Sequence, residues 1–229
     1  MTTDDLVELF REHGTGAVSD ALDLLGRNGG LSGLSRRSGT GTVVGPAYTL
    51  RFEPVAAGVR APAGEFIDDV PPGAVVVIAN GGRLYCTVWG DILSAVAVRN
   101  GVAGTVIDGC CRDVAETRAV GYPVWSRAGY MKSGKNRVRL TAVGQPVEVC
   151  GTVVEPGDLV CADDSGAVVV PAALATEVGD QVRRIVTIEA AIRADVAAGL
   201  PLRDSRRRHG YNLAPRDGVT VPVPSTGRS

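Results

Sequence analysis

Ala74-Val75-Val76-Val77-Ile78-Ala79 and Gly104-Thr105-Val106-Ile107-Asp108 decide how this chain folds. Neither run alternates apolar with polar residues, as a strand with one wet face would. A short, unbroken run rich in valine and isoleucine reads as a strand covered on both faces. Asn80-Gly81-Gly82 closes the first strand, and Gly109 stops the second. Between them, Asp91 to Asn100 reads as a helix, with Asp91 near its start and Gly101 just past its end. Arg112 to Val120 is the next helix, ended by Gly121, and Pro123-Val124-Trp125 opens a third strand. Strand, helix, strand, helix, strand makes two βαβ units and a parallel sheet.

Working toward the N-terminus, residues 3–12 and 17–26 read as two short helices, with Ser19 and Asp20 read as N-terminal caps of the second. Gly26 to Gly33 is a break, and Thr40 to Phe52 has strand character. Toward the C-terminus, the stretch from Val147 to Val170 holds short β runs punctuated by Pro156-Gly157 and Ser165-Gly166. These are the marks of antiparallel hairpins. Ala172 to Ala198 is a long amphipathic helix closed by Gly199 and Pro201. Residues 203–229 are polar, with Arg206-Arg207-Arg208, and read as a loose tail or an arm across a neighbouring subunit. The expected division is a domain over 1–200 and a polar, Pro- and Arg-containing tail over 201–229.

Composition narrows the function. Only 4% of residues are aromatic, so Val, Ala, Leu and Ile must fill the core. A net charge of −1 lacks the basic footprint of a general nucleic-acid binder. No apolar run approaches the roughly 18 residues of a membrane span. The opening Met-Thr-Thr-Asp-Asp-Leu-Val-Glu lacks the blocks of a signal peptide, so a cytoplasmic address is expected. The five cysteines, Cys86, Cys110, Cys111, Cys150 and Cys161, are odd in number and form no C-x-x-C pair. They read as small buried hydrophobes rather than disulfide or zinc partners. The two histidines, His13 and His209, lie near the ends, which disfavours a histidine-based triad.

Candidate chemistry gathers where ligands bind in parallel α/β layers, outside the carboxyl ends of the strands. Gly90-Asp91 opens a helix, so the amides of Ile92 and Leu93 are free to point at a carboxylate. Arg112 offers a planar fork to carboxylate or enolate oxygen. Asp113 offers a hard oxygen suited to Mg²⁺ or Mn²⁺, and magnesium often takes only one or two protein carboxylates. On the residues alone, Asp91 as a helix cap and Arg112-Asp113 as a surface ion pair are equally open. Lys132 and Lys135 flank Ser133-Gly134 and read as a solvated loop, with contact to a substrate carboxylate as the alternative. Glu189 reads as a surface residue, and Asp108 as an acid bonded to nearby amides.

Gly81-Gly82, Trp89-Gly90-Asp91 through Asn100-Gly101, Val102 through Gly109, and Arg112-Asp113 together resemble the RraA-like family. That family includes the class II 4-hydroxy-4-methyl-2-oxoglutarate/4-carboxy-4-hydroxy-2-oxoadipate aldolases. The resemblance spans roughly residues 15–200, and the Asp91 to Arg112-Asp113 spacing is its specific part. It implies an αββα-type layered sandwich around the parallel βαβ core, with C-terminal hairpins and a long C-terminal helix. It also implies assembly as a homotrimer or homohexamer.

For the site, the resemblance implies that Asp113 holds Mg²⁺ or Mn²⁺. Arg112 binds the 2-oxo acid and stabilises its enolate, and the Ile92 and Leu93 amides beside Gly90 take the carboxylate. Asp91 acts as general base through a water. The implied activity is retro-aldol release of pyruvate, with oxaloacetate decarboxylation through the same enolate. Two alternatives stand beside it. One is a regulator that binds an RNA-degrading endonuclease, as a family member does. The other is a specialised pathway lyase with another aldol substrate. A menaquinone-type methyltransferase is unsupported, because no glycine-rich S-adenosylmethionine loop follows the first strand.

Overall fold

A computed structural model describes residues 1–62 and 64–211 of the 229. The expected βαβαβ core is present: β3 (Val75–Thr87), α2 (Asp91–Arg99), β4 (Gly104–Cys111), α3 (Val114–Ala119) and β5 (Val124–Gly129). It is preceded by α1 (Thr3–Leu24), β1 (Ser35–Ser38) and β2 (Val43–Pro54). It is followed by β6 (Val138–Val143), the hairpins β7 (Val147–Val149) with β8 (Thr152–Val154) and β9 (Leu159–Asp163) with β10 (Gly166–Val170), then α4 (Ala175–Ala197) and α5 (Leu202–Arg208). Neighbouring strands run β1-β5-β4-β3-β2-β9-β10, and β6 also pairs with β2. The pairs β2–β3, β3–β4 and β4–β5 are parallel, and the flanking pairs are antiparallel.

Side-chain alternation turns this sheet into layers. In β3, Val76 and Ile78 face one way and join Trp89, Ala97, Ile107 and Tyr122 beneath α2 and α3. Val75 and Val77 face the other way and meet Val106, Trp125, Val160, Ala162 and Val169. The alternate residues of β9 and β10, Leu159, Cys161, Val168 and Val170, pack under Phe10, Val18 and Leu22 of α1 and Val178 and Val182 of α4. The order is therefore helices, strands, a middle apolar layer, strands, helices. This is the αββα sandwich, with β2 joining its two sheet portions. Its Val43–Pro46 pairs β9, and its Ala47–Arg51 pairs β3.

Several boundaries differ from expectation for identifiable reasons. Strand β3 does not end at Asn80. It continues to Thr87 through two irregularities, with Ala79, Arg83 and Thr87 facing Asp108, Gly109 and Cys110 in turn. Strand β4 likewise runs past Gly109 to Cys111. The expected helix at Arg112 starts at Val114, because Asp113 sits in the left-handed region at φ 53°. The long helix begins at Ala175 after a short 3-10 turn over Ala172–Leu174. The two N-terminal helices are one element kinked at Gly14 (φ 75°, ψ −178°), so Ser19 and Asp20 lie inside it rather than at its cap.

Residues 202–211, read as the start of a loose tail, form α5 and a turn bound to α4. Asp195 there accepts from Ser205 Oγ at 3.0 Å and meets Arg208 at 3.2 Å and His209 at 2.9 Å. The rest of that tail, 212–229, lies outside the described residues. The cysteines are unpaired; Cys86, Cys110, Cys111 and Cys161 are buried as expected, whereas Cys150 is half-buried. Among the described residues no helix is long and apolar enough to cross a membrane.

Candidate active site

The carboxyl ends of β3, β4 and β5 are laced together by backbone bonds. Val88 N donates to Cys110 O at 3.3 Å, Arg112 N to Trp89 O at 3.0 Å, and Tyr130 N to Cys111 O at 2.9 Å. Beneath them lies a buried polar relay. Trp89 Nε1 donates to Ser94 Oγ at 2.9 Å, Ser94 Oγ reaches Gly90 O at 2.9 Å, and it lies 3.1 Å from Thr117 Oγ1. That relay ties the first turn of α2 to α3, so the two helix starts are held as one unit.

Gly90 is the N-cap of α2, and no side chain caps that helix. Its first amides, including those of Ile92 and Leu93, are left without intrahelical acceptors by the geometry of any helix start. The dipole of α2 favours an anion there. A Cβ at Gly90 would stand 2.7 Å from Asp113 Oδ2 and 3.4 Å from Arg112 Nε. A side chain at Gly90 would push the Asp113 carboxylate out of this position, although the φ of −158° at Gly90 suits any residue. Arg112 Nε lies 3.1 Å from Asp113 Oδ2, with the two side chains 39% and 32% exposed. The guanidinium is therefore half-open to a ligand while its own acid steadies it. Thr117 N donates to Asp113 O at 2.9 Å, which fixes the left-handed turn that aims the carboxylate back over Gly90.

The structure thus brings Gly90, Arg112 and Asp113 together and sets the start of α2 beside them. Asp91 is the first residue of α2 and half-buried, Leu93 is half-buried, and Ile92 is exposed. Arg112 and Asp113 line a shallow depression of about 290 Å³ with Cys111, Val114, Gly129, Tyr130 and Met131. Tyr130 and Met131 were missed in the sequence. They follow the end of β5, so the carboxyl-end rule that found Asp91 and Arg112 points to them too.

Neither Lys132 nor Lys135 is among the lining residues; the carbonyl of Lys132 accepts from Thr87 N at 2.9 Å. Glu189 pairs with Arg193 at 3.2 Å on α4. Asp108 pairs with Arg127 and accepts from Cys150 N at 3.3 Å, so its partners include a guanidinium besides the expected amide. Burial pushes the thiols of Cys110 and Cys111 above their ordinary range, which keeps these neighbours of the site protonated and inert.

As a metal site the arrangement has one clear hard ligand, the Asp113 carboxylate. Among the described residues no three His, Cys, Asp or Glu side chains gather as a ready-made cage. A single half-exposed carboxylate on an open rim, with room for several waters, fits Mg²⁺ and would not fit a structural zinc.

Comparison with known proteins agrees with the fold. Protein DlpA of Legionella pneumophila is 37% identical over 212 residues, which cover 92% of this chain and 34% of DlpA; the chain spans about a third of that relative. A Halalkalibacterium halodurans protein, named "Putative 4-hydroxy-4-methyl-2-oxoglutarate aldolase", is 30% identical over 73% of this chain and 77% of its own. The crystal structure of Streptomyces coelicolor RraAS2 is described as an unusual member of the RNase ES inhibitor RraA protein family. It superposes with a TM-score of 0.78 at 32% identity, over 85% of this chain and 99% of that one. Residues 15–169 match the RraA-like family, described as Aldolase/RraA. The chain belongs to that family.

Proposed function

We propose that this chain is a divalent-metal-dependent lyase that releases pyruvate from 4-hydroxy-2-oxo acids and decarboxylates oxaloacetate. The observation that carries the reading is the convergence on Gly90 of the uncapped start of α2, the Arg112 fork and the Asp113 carboxylate. The aldolase names borne by relatives such as that of Halalkalibacterium halodurans support the same chemistry. Asp113 would hold Mg²⁺ or Mn²⁺. When bound, such an ion supplies Lewis-acid stabilisation of charge on the keto oxygen.

The chain's own residues do the rest. The Ile92 and Leu93 amides receive the substrate carboxylate at the positive end of α2. Arg112 fixes the 2-oxo group and stabilises the enolate as C–C cleavage builds charge on it. Asp91, through a water, removes the proton of the C4 hydroxyl and so starts retro-aldol cleavage. Oxaloacetate has no such hydroxyl, and loss of CO₂ gives the same enolate, so Asp91 is dispensable for that reaction. Assembly as a homotrimer or homohexamer belongs to the same proposal.

The test is pyruvate release from oxaloacetate and from 4-hydroxy-4-methyl-2-oxoglutarate, with Mg²⁺ and then with excess EDTA. Turnover that needs the metal and is lost in Asp113→Ala is expected. No turnover of either compound by the folded protein overturns the reading. The likeness to RraAS2 favours a second reading, regulation of a ribonuclease by protein binding. It predicts partner binding that survives both EDTA and Arg112→Ala.

A further inference from the structure

Resting on the lyase reading, we infer that the group carried on C4 of the substrate is apolar, so that the chain prefers monocarboxylic 4-hydroxy-2-oxo acids to dicarboxylic ones. Among the residues that line the depression beside Arg112 and Asp113, Arg112 is the one cation. It is already offset by Asp113 at 3.1 Å and is committed to the pyruvyl end. What remains of the wall is Cys111, Val114, Tyr130, Met131 and the bare backbone of Gly129. A second carboxylate there would find no cation, and only the neutral hydroxyl of Tyr130 to replace its water, and an anion without a countercharge is the most costly group to desolvate.

An alkyl or aryl group meets the opposite balance. Met131 is 72% exposed, a large flexible apolar side chain that a ligand can cover and that adapts its shape to the guest. Tyr130 adds an aromatic wall, held in place by its amide bond to Cys111 O at 2.9 Å. At about 290 Å³ the depression lies at the small end of ligand sites, roughly 300–1,000 Å³, which suits a compact metabolite. The chemistry is unchanged by this choice. The C4 hydroxyl loses its proton and the C3–C4 bond breaks. C4 leaves as an aldehyde, and C3 keeps the electron pair and is reprotonated to give pyruvate.

The test compares kcat/KM of the full-length, Mg²⁺-loaded chain for three compounds. These are 4-hydroxy-2-oxopentanoate, 4-hydroxy-2-oxo-4-phenylbutanoate and the dicarboxylic 4-hydroxy-4-methyl-2-oxoglutarate. The monocarboxylates should lead by at least about tenfold, mainly through KM, since contact with a remote substituent is mostly uniform binding. Met131→Arg, at an exposed position that tolerates charge, should move the ratio toward the dicarboxylate by about tenfold. A dicarboxylate that is equal or better in the unmodified chain, or a ratio unmoved by Met131→Arg, overturns the inference and leaves the lyase reading standing. Failure to cleave all three and to decarboxylate oxaloacetate sinks both.

Discussion

Asp113 lies just past β4 and Asp163 is the last residue of β9, and each stands beside the start of a helical segment, yet their surroundings use them in opposite ways. Asp163 ends β9 and caps the second half of α1 across the kink at Gly14. Its Oδ2 accepts from Thr15 N at 2.8 Å, and its Oδ1 accepts from Thr15 Oγ at 2.8 Å and Ser165 N at 2.7 Å. Its carbonyl takes Trp125 Nε1 at 2.8 Å. That acid is fully occupied in holding the N-terminal helix onto the sandwich. The carboxylate of Asp113 has Arg112 beside it and the rim of a depression before it. An acid with its lone pairs filled by the fold is architecture. One steadied by a single cation at the mouth of a parallel sheet has coordination left to give.

The largest expected effect breaks the comparison on the catalytic side. Arg112→Ala should cut pyruvate release by roughly 10²–10³-fold, the usual loss for a charge-stabilising donor. Thermal stability should stay close to that of the unmodified chain, because Arg112 is a half-exposed side chain outside the apolar clusters. A matching collapse of Tm would instead make the Arg112–Asp113 pair architectural, like Asp163. Asp91→Asn sharpens the point. It should lower retro-aldol cleavage by roughly 10²-fold, the lower end for a lost general base, and leave oxaloacetate decarboxylation nearly intact, measured in one preparation. Equal loss of both activities would remove Asp91 from the role of base.

On the other side, Asp163→Ala should cost about 1–2 kcal/mol or more, since it removes a helix cap and leaves Thr15 and Ser165 without their acceptor. Denaturant unfolding reads that loss. Per folded molecule, activity should hold, because Asp163 is absent from the depression.

The sequence revealed the centre of this molecule better than its edges, and for a physical reason. A parallel strand covered on both faces is apolar along most of its length, so Ala74–Ala79 and Val106-Ile107 read directly. Strand β1, Ser-Arg-Arg-Ser, has no such pattern. Tertiary bonds make it a strand: it pairs with β5, and Arg37 donates to Ser126 Oγ at 3.1 Å and to Ser126 O at 3.0 Å. The same divide runs through the site. Gly90, Arg112 and Asp113 sit at turns that the periodicity predicts. Tyr130 follows the end of β5, where the same rule applies, but its place beside Cys111 depends on β5 lying next to β4, with its amide bonded to Cys111 O. Asp163 looked like a hairpin residue, and its partner Thr15 is far away in the chain, a pairing that local spacing cannot encode.

The smallest effect is a pH dependence of stability carried by Asp163. Burial pushes the Asp163 carboxyl up, but the amides and hydroxyls of Thr15 and Ser165 outweigh it and hold the carboxyl below the ordinary aspartate range. A lowered folded pKa means that the unfolded chain takes up its proton first, near the ordinary value of about 3.9. The stabilisation is therefore fully present above that value and is lost as pH falls toward the folded one. Asp163→Asn keeps an acceptor for Thr15 but cannot titrate. Between about pH 5 and 3 the unmodified chain should lose stability more steeply than the variant. Asp5 and Asp195 are also lowered, and they titrate in both proteins, so the difference between the two curves belongs to Asp163. Parallel curves would mean that the Asp163 cap works through geometry alone, and the contrast with Asp113 would then rest on occupancy of its lone pairs without help from its charge.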